Sequence, residues 1–258
     1  MNVNITFLGG SGTVTGSKYL VRYNGKSLLV DCGLFQGYKQ LRLRNWQPLP
    51  VTPHQIDAVV LTHAHLDHSG YLPLLARDGY THAIHCTPGT RDLCTILLPD
   101  SGHLQEEDAA FLNRHQLSSH SPALPLYTRL DALHCLKQFQ IHPFHKAFEP
   151  LPGWRMTFSP AGHILGAASV LLEVGGRRIL FSGDLCRPDD LLMNPPEPRP
   201  RRTQCSSNPP TATASTRRRA CSTNWAPPCS AWLHAGVSPW YPCSPWAAHR
   251  SCCTPLGC

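Results

Sequence analysis

The first 198 residues predict an α/β protein with at least one mixed β-sheet. Short apolar segments typical of strands recur along this part of the chain, and helical segments lie between them. Polar stretches rich in histidine, aspartate and glycine follow several of these strands. Strands interleaved with helices are typical of layered α/β domains. The fold class expected for residues 1–198 is therefore α/β (α+β).

The N-terminal elements are predicted to be strands. The segment VNITFL is short and apolar, and the glycine loop GGSGTVTGS follows it. The segments KYLVRY and KSLLVD flank Asn24-Gly25, the strongest short signal for a β-hairpin. A polar stretch then extends to about Pro53.

The middle of the domain alternates between strands and helices. Residues 56–61 (IDAVVL) predict a buried strand, and residues 69–78 predict a helix that ends at Gly79. HAIHCT predicts a further strand, and TPGTRDLCTILL begins a helix. Residues 100–145 are expected to be mostly helical and polar. The segments WRMTFSP, ASVLLEV and RRILFSGD then predict three strands, two of them joined at Gly175-Gly176.

The last part of the chain has a different composition. The 258 residues carry a formal charge of +7, and residues 199–258 contain seven Arg and no Lys, Asp or Glu. Residues 1–198 are therefore formally neutral. The same C-terminal segment holds seven Cys, nine Pro and four Trp, but no Ile, Phe or Met. Such a segment buries too little apolar surface to offset its ordering entropy, so we expect a disordered Arg/Pro/Cys-rich tail.

Composition also excludes several classes of protein. The sequence contains no run of about 18 apolar residues, so no membrane span is predicted. Its first ten residues, MNVNITFLGG, lack the features of a secretory signal. The cysteines of the first part are scattered singly, which is typical of a reduced, cytoplasmic protein. They are Cys32, Cys86, Cys94, Cys135 and Cys186.

The segment THAHLDH contains four potential metal ligands directly after a buried strand. Alternate side chains of an extended segment share a face, so His63 and His65 can point together. Asp67 and His68 are expected to begin the next helix and to present a second pair. Imidazole and carboxylate groups suit zinc and similar ions. This spacing therefore predicts a metal site.

Two later residues can complete a two-metal site. His163 in AGHILG and Asp184 in SGDL each follow a predicted strand, beside glycine. Two neighbouring divalent ions acidify a shared water molecule and bind a phosphate. Asp184, with two carboxylate oxygens, can bridge the ions, and Asp67 can orient the hydroxide.

These motifs, with Asp31 in LLVDCG, resemble those of the metallo-β-lactamase superfamily. The resemblance implies a four-layer αβ/βα sandwich, which is incomplete in this chain. It also implies two zinc ions, with Asp31 supporting the site. The implied ligands of one ion are His63, His65 and His163, and those of the other are Asp67 and His68, with Asp184 between the ions.

The flanking segments narrow the resemblance. TVTGSKYL, VDCGLFQG, HAHLDHSGYLP and SGDLCRPDD resemble the beta-CASP branch of RNA-processing nucleases. This branch implies an RNA substrate, whose phosphodiester bonds are hydrolysed by a metal-bound hydroxide with Asp67 and Asp184 as catalytic residues. Cys186 stands where glycine is common in the branch, so it is either a soft metal ligand or a plain substitution. A homo-oligomer is compatible with the sequence but is not indicated by it.

Two other functions fit the same residues. A small-molecule hydrolase of the superfamily, acting on a thioester or lactam, needs the same metals. Alternatively, the chain is a zinc-carrying remnant that binds RNA through a basic arm formed by residues 199–202 and 217–219. A phosphate-binding loop at GGSGTVTGSK is excluded, because the glycine spacing is wrong and strands follow it.

We hypothesise that residues 199–258 are read out of frame. GC-rich codons read one base earlier permit ADAVLVESTYGDRLH from residue 201 and GVAVVPVFAVGRAQVLLHALGL from residue 236, which both resemble beta-CASP motifs. The predicted domains are thus a metal-binding region at 1–198 and an out-of-frame tail at 199–258. On this hypothesis the chain is truncated, its second metal site is incomplete, and it cleaves RNA weakly or not at all.

Overall fold

A computed structural model of the chain describes residues 2–186, 190–197 and 204–206. All of these residues belong to one compact unit, which spans Met1–Arg218. The proposed out-of-frame tail lies outside the described residues except for 204–206, so that hypothesis remains a prediction. Within the described part, none of the helices has the length and apolar character needed to cross a membrane.

The first sheet has six strands in the order β1-β2-β3-β4-β5-β6. Strands β1 to β3 are antiparallel, whereas β3 to β6 are parallel, so the sheet is mixed as predicted. Its strands are β1 (Asn4–Gly9), β2 (Lys18–Tyr23), β3 (Lys26–Val30), β4 (Ala58–Val60), β5 (Ile84–Cys86) and β6 (Phe139–Ile141).

The second sheet has five strands in the order β11-β10-β9-β8-β7. Its pairs are antiparallel except for the parallel pair of β10 with β11. Its strands are β7 (Phe148–Leu151), β8 (Trp154–Pro160), β9 (Ala168–Val174), β10 (Arg177–Phe181) and β11 (Gln204–Ser206).

Five α-helices and three 3₁₀ turns connect these strands in the described residues. The helices are α1 (Lys39–Leu43), α2 (Leu66–Ser69), α3 (Leu72–Arg77), α4 (Pro88–Arg114) and α5 (Arg129–Cys135). The 3₁₀ turns are Arg44–Trp46, Pro53–Gln55 and Leu136–Gln138. Helix α5 begins with a capping box, in which Thr128 and Asp131 bond reciprocally to each other's backbone N–H groups.

The first sheet buries both of its faces. On one face, Leu29 and Val59 pack in a core with residues of α3, α4 and α5. On the other face, Leu28 and Val60 pack against the second sheet, in a core that includes Phe158. Because side chains alternate across a strand, one apolar run serves both cores. The described residues thus form three layers, helices, sheet and sheet, and they contain no helix that covers the outer face of the second sheet.

The predicted α/β class and most of the predicted elements are confirmed. The hairpin turns at Asn24 and Gly25, whose φ angles of 50° and 74° are those of a type I′ turn. The segments WRMTFSP and ASVLLEV coincide with β8 and β9.

The helix predicted for residues 69–78 begins later than expected, at Leu72, and ends near Asp78 as predicted. The structure has two short helices in this region, α2 and α3, because outside partners take the hydrogen bonds that would join them. Ser17 N–H donates to Asp67 O, while Tyr71 N–H donates to Cys32 O, both at 2.9 Å. A continuous helix would need a hydrogen bond from Tyr71 N–H to Asp67 O, but both groups bond to other residues instead.

The region 100–145 is less helical than predicted. Helix α4 ends at Arg114, and α5 is the next helix. Strands β6 and β7 were not predicted. Each has only three or four residues, and all but Leu151 are half-exposed or exposed, so neither strand carries an apolar pattern.

Candidate metal centre

Three loops that follow strand ends meet at one place. His63 and His65 follow β4, His163 follows β8, and Asp184 follows β10. The loops are joined by a backbone hydrogen bond of 2.9 Å from Ala168 N–H to Thr62 O. Strand β4 belongs to the first sheet, whereas β8 and β10 belong to the second. The candidate site therefore lies where the two sheets meet.

Four ligand atoms converge at this point. One ligand atom from each of His63, His65, His163 and Asp184 lies within 4.8 Å of all the others. Nδ1 of His65 is 3.1 Å from Nε2 of both His63 and His163. Oδ2 of Asp184 lies 3.8 Å from Nε2 of His63 and 3.6 Å from Nε2 of His163. The sequence predicted all four residues as ligands, and the fold brings them together.

Asp67 and His68 lie beside this group, on α2. Nε2 of His68 is 3.4 Å from Oδ1 of Asp184 and 3.8 Å from Oδ2 of Asp67. That nitrogen is buried and has no hydrogen-bond partner. The two oxygens of Asp184 thus face different groups, Oδ2 towards His63 and His163 and Oδ1 towards His68. A bridging carboxylate needs this arrangement.

Asp31 orients His68 directly and His63 through Thr62. It is 1% exposed, lies directly after β3 and has a left-handed φ of 59°. Its Oδ2 accepts hydrogen bonds from His68 Nδ1 at 2.8 Å and from Thr62 Oγ1 at 2.9 Å. Because the Thr62 hydroxyl donates to Asp31, it accepts from His63 Nδ1, which lies at 3.0 Å. Both imidazoles therefore carry hydrogen on Nδ1 and direct Nε2 to the site.

The charges of the site favour cation binding. Burial, reinforced by repulsion from His68, holds the pKa of His63 well below its usual value, and burial also lowers the pKa of His163. For His68, burial opposes protonation, but the carboxylates of Asp31 and Asp184 outweigh it and raise the pKa to about 10. Burial likewise opposes ionisation of Asp184, yet His68 keeps the pKa of this carboxyl below its usual range. Near neutral pH the site therefore holds neutral imidazoles at His63 and His163, an anionic carboxylate at Asp184 and a proton on His68 that a cation can replace.

A buried lysine supports the segment that packs against Asp67. A Cβ on Gly33 would lie 1.6 Å from Asp67 O, so only glycine allows this approach. Lys18, which is 1% exposed, donates a hydrogen bond to Gly33 O. Its ammonium lies 4.6 Å from the ring centroid of Phe35 and 4.7 Å from that of Tyr71, and burial lowers its pKa to about 8. Cation–π contacts offset part of the cost of burying this charge.

The loop that carries His163 is held from the first sheet. The hydroxyls of Thr87 and Thr90, at the start of α4, donate to Gly166 O at 2.6 Å and 3.0 Å. Within the loop, Ala161 N–H donates to Ala167 O at 2.9 Å. These bonds fix the backbone on either side of His163. The position of this ligand therefore depends on α4.

The sequence analysis did not identify Lys18, Thr62, Thr87 and Thr90 as supports of the site. Thr62 is part of the THAHLDH segment, and its position beside His63 was the available signal. The other three residues bond to backbone carbonyls 15 or more residues away, and no local sequence pattern indicates such contacts. Cys186 is half-buried and donates from its N–H to Ala161 O at 3.2 Å, but it is not a member of the four-residue ligand group.

The donor set fits a divalent metal ion. It combines imidazole nitrogens with an ionised carboxylate, which zinc and other borderline ions prefer. The buried, unpartnered Nε2 of His68 provides a further donor beside it. Ligand atoms of His63, His65, His163 and Asp184 therefore lie close enough together to contact a single ion.

Comparison with known proteins agrees with this geometry. The chain is 34% identical over 197 residues to ribonuclease TTHA0252 of Thermus thermophilus. The matched segment covers 76% of this chain and 41% of that protein. It is 32% identical over 200 residues to transcription termination factor FttA of Methanosarcina mazei (75% and 29%). It is 30% identical over 185 residues to endoribonuclease YSH1 of Gibberella zeae (71% and 21%). The chain thus spans less than half the length of these relatives.

These relatives confirm the resemblance to the beta-CASP RNA-processing nucleases. The sequence profile that matches the chain, over residues 12–219, is that of the metallo-beta-lactamase superfamily. The match includes all seven residues predicted for the site. Together with the cluster of three histidines and Asp184, it indicates a metal cofactor. The chain belongs to the metallo-beta-lactamase superfamily.

Proposed function

We propose that the protein is a zinc-dependent hydrolase of RNA phosphodiester bonds. The observation that carries this proposal is the placement of Asp184, whose two oxygens face two different groups of histidines. Such a carboxylate suits a pair of ions rather than one. The RNA substrate is supported by the relatives, two of which are named as ribonucleases.

The proposed ligands divide into two sets. His63, His65 and His163 would hold one ion, Asp67 and His68 the other, and Asp184 would lie between them. Bound metal ions would acidify a water molecule and offset the negative charge of a phosphodiester. Asp31, acting through His68 and Thr62, keeps the Nε2 lone pairs directed inward.

Asp67 is the proposed proton acceptor for the attacking water. Its carboxyl lies at the start of α2, beside Nε2 of His68. In the metal-free protein, burial raises the pKa of Asp67, so this carboxyl accepts a proton more readily than an exposed one. Asp184 keeps its negative charge, so the two carboxylates have distinct roles.

A side-by-side assay tests this proposal. The 258-residue chain, loaded with zinc and in excess over substrate, is incubated with end-labelled single-stranded RNA, a thioester and a lactam. We expect RNA cleavage that is abolished by chelation and reduced at least about 100-fold in Asp184→Asn. Excess enzyme is used because the hypothesis of an out-of-frame tail predicts weak turnover.

Three results would contradict the proposal. Hydrolysis of the thioester or lactam without RNA cleavage would make the protein a small-molecule hydrolase. Cleavage that persists in Asp184→Asn would assign the activity to a contaminant. RNA binding without cleavage, lost on removal of residues 199–258, would favour the zinc-carrying remnant with a basic arm.

A further inference from the structure

Helix α1 and the following 3₁₀ turn form an exposed basic and aromatic surface. No residue of α1 is buried, whereas each of the other four helices in the described residues has at least two. Tyr38, just before α1, is 81% exposed, and Trp46, at the end of the turn, is 58% exposed. Both aromatic rings are therefore accessible to a partner. We call residues 38–46 the α1 surface.

The charge of the α1 surface is uniformly positive. Lys39, Arg42 and Arg44 are all exposed, and no Asp or Glu lies between Asp31 and Asp57 in the sequence. In the described part of the chain, none of these three cations forms an ion pair with a carboxylate. Cations without carboxylate partners can neutralise the phosphates of a nucleic acid.

The α1 surface is rigidly joined to the metal centre. Asn45, which is 7% exposed, receives a hydrogen bond from Phe35 N–H and donates one to Phe35 O, both at 2.8 Å. The segment from Gly33 to Phe35 packs on α2, where Leu34 N–H donates to Leu66 O at 2.8 Å. Asn45 lies between Arg44 and Trp46, so the turn that carries these two side chains is hydrogen-bonded to the segment that packs on α2, the helix of Asp67.

Phe35 joins the two regions through its ring. The buried ammonium of Lys18 lies 4.6 Å from the Phe35 centroid, and the exposed guanidinium of Arg44 lies 5.5 Å from it. Stacking on the ring restrains Arg44 without pairing its charge. A restrained cation loses less conformational entropy when it binds an anion.

We propose that the α1 surface binds single-stranded RNA and guides it to the metal centre, with Tyr38 and Trp46 stacking on bases and Lys39, Arg42 and Arg44 contacting phosphates. The combination of aromatic rings with unpaired cations is the recognition chemistry of single-stranded nucleic acids. Three cations without a carboxylate in the intervening sequence favour a polyanion over a protein partner. This inference rests on the proposed RNA substrate and adds to it the route by which the strand reaches the site.

Binding measurements on the zinc-loaded, full-length chain test this proposal. The probe is a fluorescein-labelled single-stranded RNA of 12 nucleotides, followed by anisotropy at several salt concentrations. We expect Tyr38→Ala/Trp46→Ala to weaken binding about tenfold or more. Lys39→Ala/Arg42→Ala/Arg44→Ala is expected to lower the slope of log K against log salt by about 2.

The matched control is Phe111→Ala/Arg114→Ala. This exposed aromatic and cation pair lies at the end of α4, close to the acidic residues Glu106, Glu107 and Asp108. We expect RNA binding by the control to match that of the unmodified chain. Ultraviolet crosslinking of the unmodified chain should place the RNA on Tyr38 or Trp46, a result that does not depend on how the variants fold.

A second substrate separates this inference from the proposed function. Bis(p-nitrophenyl) phosphate is a phosphodiester too small to reach the α1 surface, so its hydrolysis should be unchanged in both α1 variants. Unchanged RNA binding in these variants, or an equal loss in the control, would overturn the inference and leave the proposed function intact. If the unmodified chain, in excess over substrate, hydrolyses neither phosphodiester, the proposed function fails for this chain, while the anisotropy comparison still decides where RNA binds.

Discussion

The protein contains two clusters of histidines with opposite electrostatic surroundings: the pair of His85 and His142, and the metal centre. His85 and His142 lie with Nδ1 and Nε2 2.9 Å apart, and the His142 ring stacks on Phe148 at 3.8 Å. Burial lowers the pKa of His85 to about 4, and repulsion from His142 adds to the effect. At the metal centre, by contrast, two carboxylates raise the pKa of His68 to about 10.

Both clusters contain a buried Nε2 without a hydrogen-bond partner, on His85 and on His68. A single orphaned nitrogen therefore does not identify a metal site. What distinguishes the metal centre is the number of donors that converge on it and the presence of an ionised carboxylate among them. His85 and His142 form an apolar-stacked pair, and we expect them to contribute to stability rather than to metal binding.

The largest expected effect is on metal affinity. His63→Ala should weaken zinc binding by at least about 100-fold, because it removes a donor from the convergent group. His85→Ala should leave zinc affinity unchanged. Competition with a chromophoric chelator measures both, and circular dichroism of the metal-free proteins checks folding. A loss of affinity in His85→Ala equal to that in His63→Ala would remove the distinction between the clusters.

The second expected effect comes from the carboxylate beneath the site. Asp31→Asn should weaken zinc binding about 10- to 100-fold, because an amide cannot accept hydrogen bonds from Thr62 and His68 as the carboxylate does. Asp57→Asn is the matched control, since Asp57 pairs with Lys26 at the other end of β3. Equal zinc affinities for the two variants would show that Asp31 does not position His68.

The smallest expected effect is on pH-dependent stability. Because the pKa of His85 is lower in the folded state, the unfolded chain binds this proton more readily, and stability is lost as the pH falls from about 6.5 towards 4. We expect His85→Gln to reduce this acid-induced loss in the free energy of unfolding by about 1–2 kcal/mol. Urea unfolding of both metal-free proteins at pH 7 and pH 5 measures the difference. Parallel losses in the two proteins would mean that His85 titrates freely when folded.

The sequence was sufficient for those features that depend on local pattern. The alternation of His63 and His65 after an apolar strand predicted that both would face one site, and the structure places them there. The signal at Asn24-Gly25 predicted the hairpin. Such features succeed because neighbouring residues alone determine the geometry.

Features that depend on distant backbone groups could not be predicted in this way. The break between α2 and α3 arises because Ser17 and Cys32 take the hydrogen bonds of the helix, and neither lies near it in the sequence. The polar stretch up to Pro53 concealed α1, whose residues are not buried and so show no apolar periodicity. Tertiary hydrogen bonds thus interrupted the helix at α2 and α3, and the exposure of α1 left it without a recognisable apolar pattern.

The position of the centre between the two sheets links metal binding to the folding of the whole domain. A metal ion held by His63, which follows β4, and by Asp184, which follows β10, would cross-link the two sheets across the core that contains Phe158. By thermodynamic linkage, a metal ion that binds only the folded domain raises its free energy of unfolding, and tighter binding raises it further. Bound metal would therefore raise the free energy of unfolding of the domain as well as supply its proposed chemistry.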